Sequence, residues 1–262
     1  MITLSSGDLV AFVQSVMWPF LRAIGLFLVA PVFGAAVVPA RIKVILAILL
    51  GFLLAPIAGP TVAVEPLGVH MMLLAAVQIL IGVAMAFVIQ IIFEALMLAG
   101  QAIASTMGLG YATLLDPQRG VSVPVVSQFL LVLGVLLFLS IDGHLAIIEI
   151  LAESFRWMPV GELGFPANAA QAVANWGGKI FEAGLMIGLP AILALIIVNA
   201  GLGVVSRAAP SLNLFSIGFP VSLGVGFLVI ILSLQNLQVS FDDVLQSSFD
   251  AVRAFFGGAG RG

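Results

Sequence analysis

The sequence predicts an all-α integral membrane protein, and three observations lead there. Of its 262 residues 62% are hydrophobic and 8% are charged, where a soluble globular domain carries about 25% charged residues. There is too little polar surface to coat a particle in water. Uncharged windows recur at the length that crosses about 30 Å of hydrocarbon, which takes roughly 20 helical residues. No polar stretch is long enough to fold as a separate soluble domain. The net charge is −3 and no basic run exceeds Arg41-Ile42-Lys43, which argues against nucleic acid or an anionic membrane surface as ligand. Cysteine is absent, so disulfides, thiolate metal sites and thiol nucleophiles are excluded.

Taken in order, the apolar windows are Leu9–Val38, interrupted by Arg22, then Val44–Val64, Leu67–Phe93, Val121–Ile141, Ala183–Ser206 and Val221–Val239. Asp8 stands where a cleavable secretory signal carries a base, so the first helix is expected to be retained. Ala95–Leu115 is also uncharged, but Gly100, Ser105, Thr106, Gly108, Gly110 and Thr113 make it a poor lipid-facing span. It reads as a broken or re-entrant segment, tolerated only where protein or water surrounds it. The basic residues Arg41, Lys43, Arg119 and Arg207 put their loops in the cytoplasm, leaving the N-terminus and the 142–178 loop on the far side. From Phe241 to Phe256 the apolar residues repeat at helical spacing, which predicts an amphipathic helix lying on protein or interface.

Catalytic signatures are missing. The two histidines, His70 and His144, have no carboxylate at a metal-ligand spacing. There is no nucleophile elbow and no phosphate-binding loop. Movement of any cargo would draw on an ion gradient or a partner.

Four features stand out. Arg22 and Glu94 are candidate buried charges. At the centre of a span an arginine costs about 2.5–3.5 kcal/mol, so Arg22 either snorkels at the end of a shorter helix or meets an interior partner. Glu94 is either a boundary residue or a relay carboxylate. Small residues at four-residue spacing, Gly184 with Gly188 and Ala104 with Gly108, suit close helix contacts within or between chains. The stretch Met107-Gly108-Leu109-Gly110-Tyr111-Ala112-Thr113-Leu114 places large side chains beside two glycines that free the backbone. It reads as an ordinary connection or as a pliable pore plug. Asp116 would cap a helix starting at Pro117 and anchor its end. The last feature is Arg207 to Pro220, which contains Pro210, Asn213, Phe215, Ser216, Gly218 and Phe219. Pro210 and Pro220 bracket a helix break, and so apolar a loop would lie on the bilayer or against another subunit.

At these residues the sequence resembles the FliR/SctT family of type III export-gate proteins. The likeness runs through Arg22, Pro31, Phe33, Pro39 and Arg41, then Gly100-Gln101, the Met107–Gln118 stretch and Asp142-Gly143-His144. Its most specific marker is the Arg-Ala-Ala-Pro and Phe-Ser-Ile-Gly-Phe-Pro pair of blocks between Arg207 and Pro220. The resemblance implies a non-enzymatic, cofactor-free subunit that assembles with FliP and FliQ into a closed channel for unfolded flagellar proteins, with FlhB at the entrance. It implies kinked helical hairpins, with residues 1–182 FliP-like and carrying a plug loop at 106–116, residues 183–240 a FliQ-like hairpin, and residues 241–262 an amphipathic tail. Met107–Leu114 would be the pore plug, although Leu114 departs from the aromatic residues usual there, and Arg207–Pro220 would contact cytoplasmic partners. The setting would be the bacterial inner membrane in the flagellar basal body, with part of the assembly at the periplasmic level. The 28 glycines and 13 prolines agree with bent, closely packed helices better than with six straight spans. An injectisome gate subunit and a secondary transporter using Arg22 and Glu94 as coupling charges are the alternatives.

Overall fold

The computed structural model describes residues 6–59, 68–109, 124–161, 167–208 and 214–257. Every regular element among them is an α-helix, and the protein is an all-α membrane protein. In chain order they are α1 (Ser6–Val29), α2 (Ala40–Leu54), α3 (Val69–Thr106), α4 (Val125–Ser140), α5 (Gly143–Trp157), α6 (Ala167–Trp176), α7 (Lys179–Ala208) and α8 (Leu214–Gly257). Two compact units contain them. The first is drawn from residues up to Gln90, Phe138–Gly177 and from Ser247 onward, and the second from Ile91–Leu137 and Gly178–Gln246.

Four helices are long and apolar enough to cross a membrane, within α1, α3, α6 with α7, and α8, and α4 with α5 could supply a fifth, broken span. This is fewer than the windows suggest. Pro39 caps α2 in an extended conformation and Pro56 follows it closely, so α2 is confined to 15 residues, roughly 22 Å at 1.5 Å per residue. The Val44–Val64 window is thus too short in helix to reach across.

Other expectations are also revised. Of the Ala95–Leu115 segment, the part up to Thr106 is unbroken α3 and the helix ends there, while residues 110–115 lie outside the described residues. Gly100 serves packing there: a methyl at that position would run into the Ser127 backbone, with its nitrogen 2.7 Å away. Pro220 does not end a break but lies inside α8, which begins at Leu214. Standing in the second turn, it withholds the hydrogen bond that the Ser216 carbonyl would otherwise accept. The Phe241–Phe256 segment forms the end of α8 rather than a separate helix.

Within the first unit α1 buries a stripe of Trp18, Arg22 and Leu26, one turn apart. The α1 and α3 backbones meet through glycines. A methyl on Gly25 would strike the Ile79 carbonyl, and one on Gly82 would strike the Arg22 carbonyl and come within 2.7 Å of the Leu26 nitrogen. The α2 helix lies on α1 through Gly51 against Val16 and Phe20, and through the Phe12–Phe52 ring pair at 6.4 Å. Asp142 turns the chain from α4 into α5 with a left-handed φ of 56°, a conformation that Asp tolerates better than most residues. Gly143 follows it because the Phe138 ring fills the place of a side chain.

In the second unit Gly184 faces the Ala95 carbonyl and Leu98, and Gly188 faces Ala99. The Gly184/Gly188 pair therefore packs α7 on α3 of the same chain. Phe93 and Phe241 meet edge to face at 5.9 Å, and Gly134 lies over Leu96.

The two kinds of glycine contact predict different sensitivities. Gly82→Ala forces backbone against backbone and should lower the thermal unfolding midpoint of the detergent-purified protein by the equivalent of about 1–3 kcal/mol. Gly188→Ala meets the far end of the Ile192 side chain at 3.2 Å and Ala99 only at ordinary contact, 3.5 Å, and should cost under about 1 kcal/mol in the same melt.

Candidate functional site

Three places among the described residues hold the polar residues that the sequence singles out or their partners, each within one unit. The first surrounds Arg22, which is fully buried on α1. The guanidinium Nε donates to Gln78 Oε1 at 2.9 Å and Nη2 donates to the same oxygen at 2.5 Å. Nη1 donates to Ser154 Oγ at 2.9 Å, and Nη2 also to the Met158 carbonyl at 2.9 Å. Its central carbon lies 4.0 Å from the centroid of the Phe155 ring, a cation–π arrangement. All of these partners are neutral.

Arg22 therefore does not snorkel, and among the described residues it forms no ion pair. It clamps α1 to Gln78 of α3 and to the C-terminal turn of α5. The Met158 carbonyl is an acceptor that a helix end leaves over, and the close Gly25/Gly82 crossing brings Arg22 and Gln78 together. Sequence inspection had not singled out Gln78, Ser154 or Phe155. A signal existed for Gln78, because it is the lone polar side chain between Met71 and Ile89.

Glu94 does not share this environment. It is exposed on the chain, not buried. Its helix position explains this: Glu94, Gln101 and Ser105 follow at spacings of seven and four residues and are all exposed on one arc of α3, while the opposite arc buries Ile92, Leu96, Ala99 and Ile103.

The third place is the C-terminal end of α3. Gly108 has a φ of 85°. Its N–H donates to the Ser105 carbonyl at 3.1 Å, and the Leu109 N–H donates to the Ala104 carbonyl at 3.0 Å. That pairing is a Schellman cap with glycine at the left-handed position. The Met107 N–H donates to Ile103 at 2.9 Å. The remaining carbonyl, that of Thr106, accepts from Asn199 Nδ2 of α7 at 2.9 Å, and Asn199 Oδ1 accepts from Ser222 Oγ of α8 at 2.7 Å. Every carbonyl of the last turn is thus satisfied. Met107 is fully buried and occupies the space where a Gly226 side chain would stand, its Cγ and Cε 2.6 Å from the position of such a methyl.

Of the expected plug, Met107, Gly108 and Leu109 therefore belong to the end of α3. Gly110, Tyr111, Ala112, Thr113 and Leu114, with Asp116 and Pro117, lie outside the described residues. So do Pro210 and Asn213. Arg207 is in the last turn of α7 and exposed, Phe215 and Ser216 are in the first turn of α8, and beyond them Gly218 is buried while Phe219 and Pro220 are exposed. The 207–220 stretch is consequently helix at both ends, not one long loop.

A small apolar cavity of about 20 Å³ lies among Ile103, Leu130, Ala191, Ile230 and Leu237 in the second unit. It offers water-sized space and no charged lining.

Comparison with known proteins shows what this helical arrangement belongs to. Residues 13–248 match the family described as bacterial export proteins, family 1. The chain belongs to that family. It is 38% identical over 252 residues to the flagellar biosynthetic protein FliR of Pectobacterium carotovorum subsp. carotovorum, covering 95% of each chain. It is likewise 38% identical over 226 residues to FliR of Escherichia coli (strain K12), covering 86% of each. FliR of Aquifex aeolicus (strain VF5) is 28% identical over 244 residues, 93% of this chain and 94% of that one. Membership in the bacterial export proteins fits an all-helical chain whose polar residues hold helices together.

The clamp makes a graded prediction. Gln78→Leu strips a buried cation of two hydrogen bonds and should cost about 3 kcal/mol or more, whereas Ser154→Ala removes one and should cost about 1.5–3 kcal/mol. Thermal melts of the detergent-purified variants, compared side by side, check the order; equal losses would show that the guanidinium does not depend on Gln78.

Proposed function

We propose that this chain is a structural, non-catalytic subunit of the flagellar type III protein export gate in the bacterial inner membrane. It joins FliP and FliQ in a closed channel for unfolded flagellar proteins, with FlhB at the entrance and part of the assembly at the periplasmic level. Residues 1–182 take the FliP-like part, 183–240 the FliQ-like hairpin and 241–262 the tail, while Met107–Leu114 plugs the pore. Arg207–Pro220 contacts cytoplasmic neighbours. The observation that carries this reading is the 38% identity, over 95% of both chains, to a protein named for flagellar biosynthesis.

Surface chemistry supports it. In the most apolar windows of α1 and α3 44% of residues are buried within the chain, but in those of α6–α7 and α8 only 17% and 22% are. Leu185, Leu193, Ile197, Phe227, Ile231 and Val239 are exposed there. Sister subunits would cover such faces, where packing and small residues drive association. The plug reading is supported by the Gly108 cap, which ends α3 firmly before the rest of the stretch.

A small-solute transporter is the rival, and two observations weigh against it. A coupling charge has to exchange partners during a transport cycle, yet Arg22 is held by four hydrogen bonds to neutral groups. Glu94 is exposed on the chain rather than enclosed.

Co-expression with FliP and FliQ should yield one stoichiometric complex, while the chain expressed alone should aggregate in detergent. Solute uptake by the chain alone in liposomes would overturn the gate assignment. Deleting Met107–Leu114 should raise ion leakage through the assembled complex without loss of subunits, and an unchanged leak would remove the plug from the proposal.

A further inference from the structure

The loop between α1 and α2, which carries Pro31, Phe33 and Pro39, has no part in the reading above, and its course is strained. Val32 has a φ of 66°, a region in which a β-branched residue is a genuine outlier. The Phe33 N–H donates to the Pro31 carbonyl at 2.8 Å, closing a three-residue turn on Val32, and the Gly34 N–H donates to the Ala30 carbonyl at 2.7 Å. Three further contacts hold the turn. The Phe27 and Phe33 rings lie 4.9 Å apart, and Lys43 Nζ donates to the Gly34 carbonyl at 2.9 Å. Gly34 itself lies so close to α1 that a methyl there would meet the Ala30 carbonyl oxygen at 2.8 Å. Strain persists only where the surroundings over-determine a conformation, so this loop has a set shape.

That shape displays apolar residues. Arg41 is the one polar side chain from Ala30 to Ile42, and Ala35, Ala36, Val37, Arg41 and Ile42 are exposed. Val37 is 90% exposed, the highest value among the large apolar side chains described. The helix before the loop fixes its level. The apolar span Leu9–Val29 has 21 residues, about 31 Å of helix at 1.5 Å per residue, which matches a hydrocarbon core about 30 Å thick. A span that ends at Val29 brings Ala30–Pro39 to the edge of the hydrocarbon, because the Gly34 contact folds the loop back onto α1. From there α2 returns along α1, with Gly51 against Val16 and Phe20, and Phe52 against Phe12. An exposed valine at this level has water on one side and acyl chains on the other, and only the acyl chains remove its apolar area from water. Arg41 stands beside it, and a guanidinium matches the geometry of a phosphate.

We infer that the α1–α2 loop is a preformed lipid anchor: Val37 and its neighbours insert among the acyl chains just below the headgroups, and Arg41 binds the phosphate of a phospholipid. The inference needs α1 to span the bilayer; it depends neither on the gate assignment nor on any residue beyond α2. A single arginine recognises the phosphate that every phospholipid carries, so the anchor does not require a basic run or an anionic surface. Lys43 takes no part in lipid binding, because the Gly34 carbonyl holds it.

The test keeps the full chain in the cells that make it, with its neighbours in place. The photoreactive amino acid p-benzoylphenylalanine is placed at position 37, irradiation joins it to the nearest C–H bond, and mass spectrometry of the purified chain reads what was captured. A phospholipid adduct is expected, attached at the acyl carbons nearest the glycerol. Its yield should fall roughly three- to tenfold in Arg41→Gln, the loss of one charge-assisted contact, and hold in Arg41→Lys. Lys43→Met frees the Gly34 carbonyl and should lower the yield by roughly half or more, a smaller effect because it acts through the loop's shape. A protein adduct overturns the anchor and makes the loop a subunit contact. Absence of any adduct overturns it too, by placing the tip in water, and attachment at the methyl ends of the acyl chains overturns the boundary placement. A yield indifferent to Arg41→Gln removes the phosphate contact, and one indifferent to Lys43→Met removes the preformed shape. If the chain with the probe at position 37 fails to accumulate, the same probe at the exposed position 36 decides by the same outcomes.

Discussion

Burial of polar groups in apolar helices is the constraint on which the structure depends. A buried donor or acceptor without a partner costs about 1–3 kcal/mol, more if charged, and the apolar packing around it is nearly indifferent to helix rotation. A few polar contacts can therefore decide which helix faces meet. In the first unit Arg22 does this for α1, α3 and α5 through Gln78, Ser154 and Met158. In the second, the buried Ser222 hydroxyl and the exposed Asn199 amide tie the end of α3 to α7 and α8. Each cluster places one strong donor against carbonyl or amide oxygens left over at a helix end or on a neighbouring helix. Neither uses an acid. Neutral acceptors avoid the desolvation of a second charge, which for a buried ion pair can outweigh the attraction gained.

Glycine makes these contacts possible by removing bulk rather than by loosening the chain. Arg22 and Gln78 can share an oxygen because Gly25 and Gly82 let the α1 and α3 backbones approach beside them. Gly100 admits the Ser127 backbone, whose hydroxyl donates to the Met97 carbonyl at 3.1 Å, so the same pairing of a small residue with a polar contact recurs on α3. Gly108 is different in kind: its positive φ is the conformation that other residues avoid, and it ends the helix. Composition counts all these glycines alike, and it is their neighbours that separate packing from termination.

That difference marks how far the sequence could be read. Helix identity was legible because charge-free windows and the 3.6-residue repeat are local properties; the long α1, α3, α7 and α8 fall where the windows do. Helix ends were less legible. Gly100 and Pro220 both looked like breaks, yet one makes room for Ser127 and the other lies inside α8. At the candidate site Met107 and Gly108 were visible as unusual, but not that Met107 is buried and Gly108 caps α3, since both facts depend on Gly226, Asn199 and Ser222 far along the chain. Glu94 could not be placed from the sequence because a long apolar run says nothing about which arc of the helix a residue occupies. Gln78 and Asn199 show what could have been used instead: each is a solitary amide in a charge-free helix, and each proved to have an internal partner.

Satisfaction of polar groups and coverage of apolar ones follow opposite courses across the chain. The Arg22 and Asn199 contacts close within their own units, although Gln78 Nε2 and Trp18 Nε1 are buried without a partner among the described residues. The apolar faces of α7 and α8 remain open along most of their length, with only 17% and 22% of the relevant windows buried. Lipid could cover those faces, but lipid has no need of the glycines that α7 and α8 keep where their own chain leaves open space, at Gly201, Gly203 and Gly224. A small residue with nothing against it in a helix gives up stability, about 0.8–1 kcal/mol relative to alanine, unless another backbone comes close. In a family of export proteins, helices that are internally pinned and externally smooth suit a subunit whose fold is set by its own polar contacts and whose place in a larger assembly is set by close packing against its neighbours.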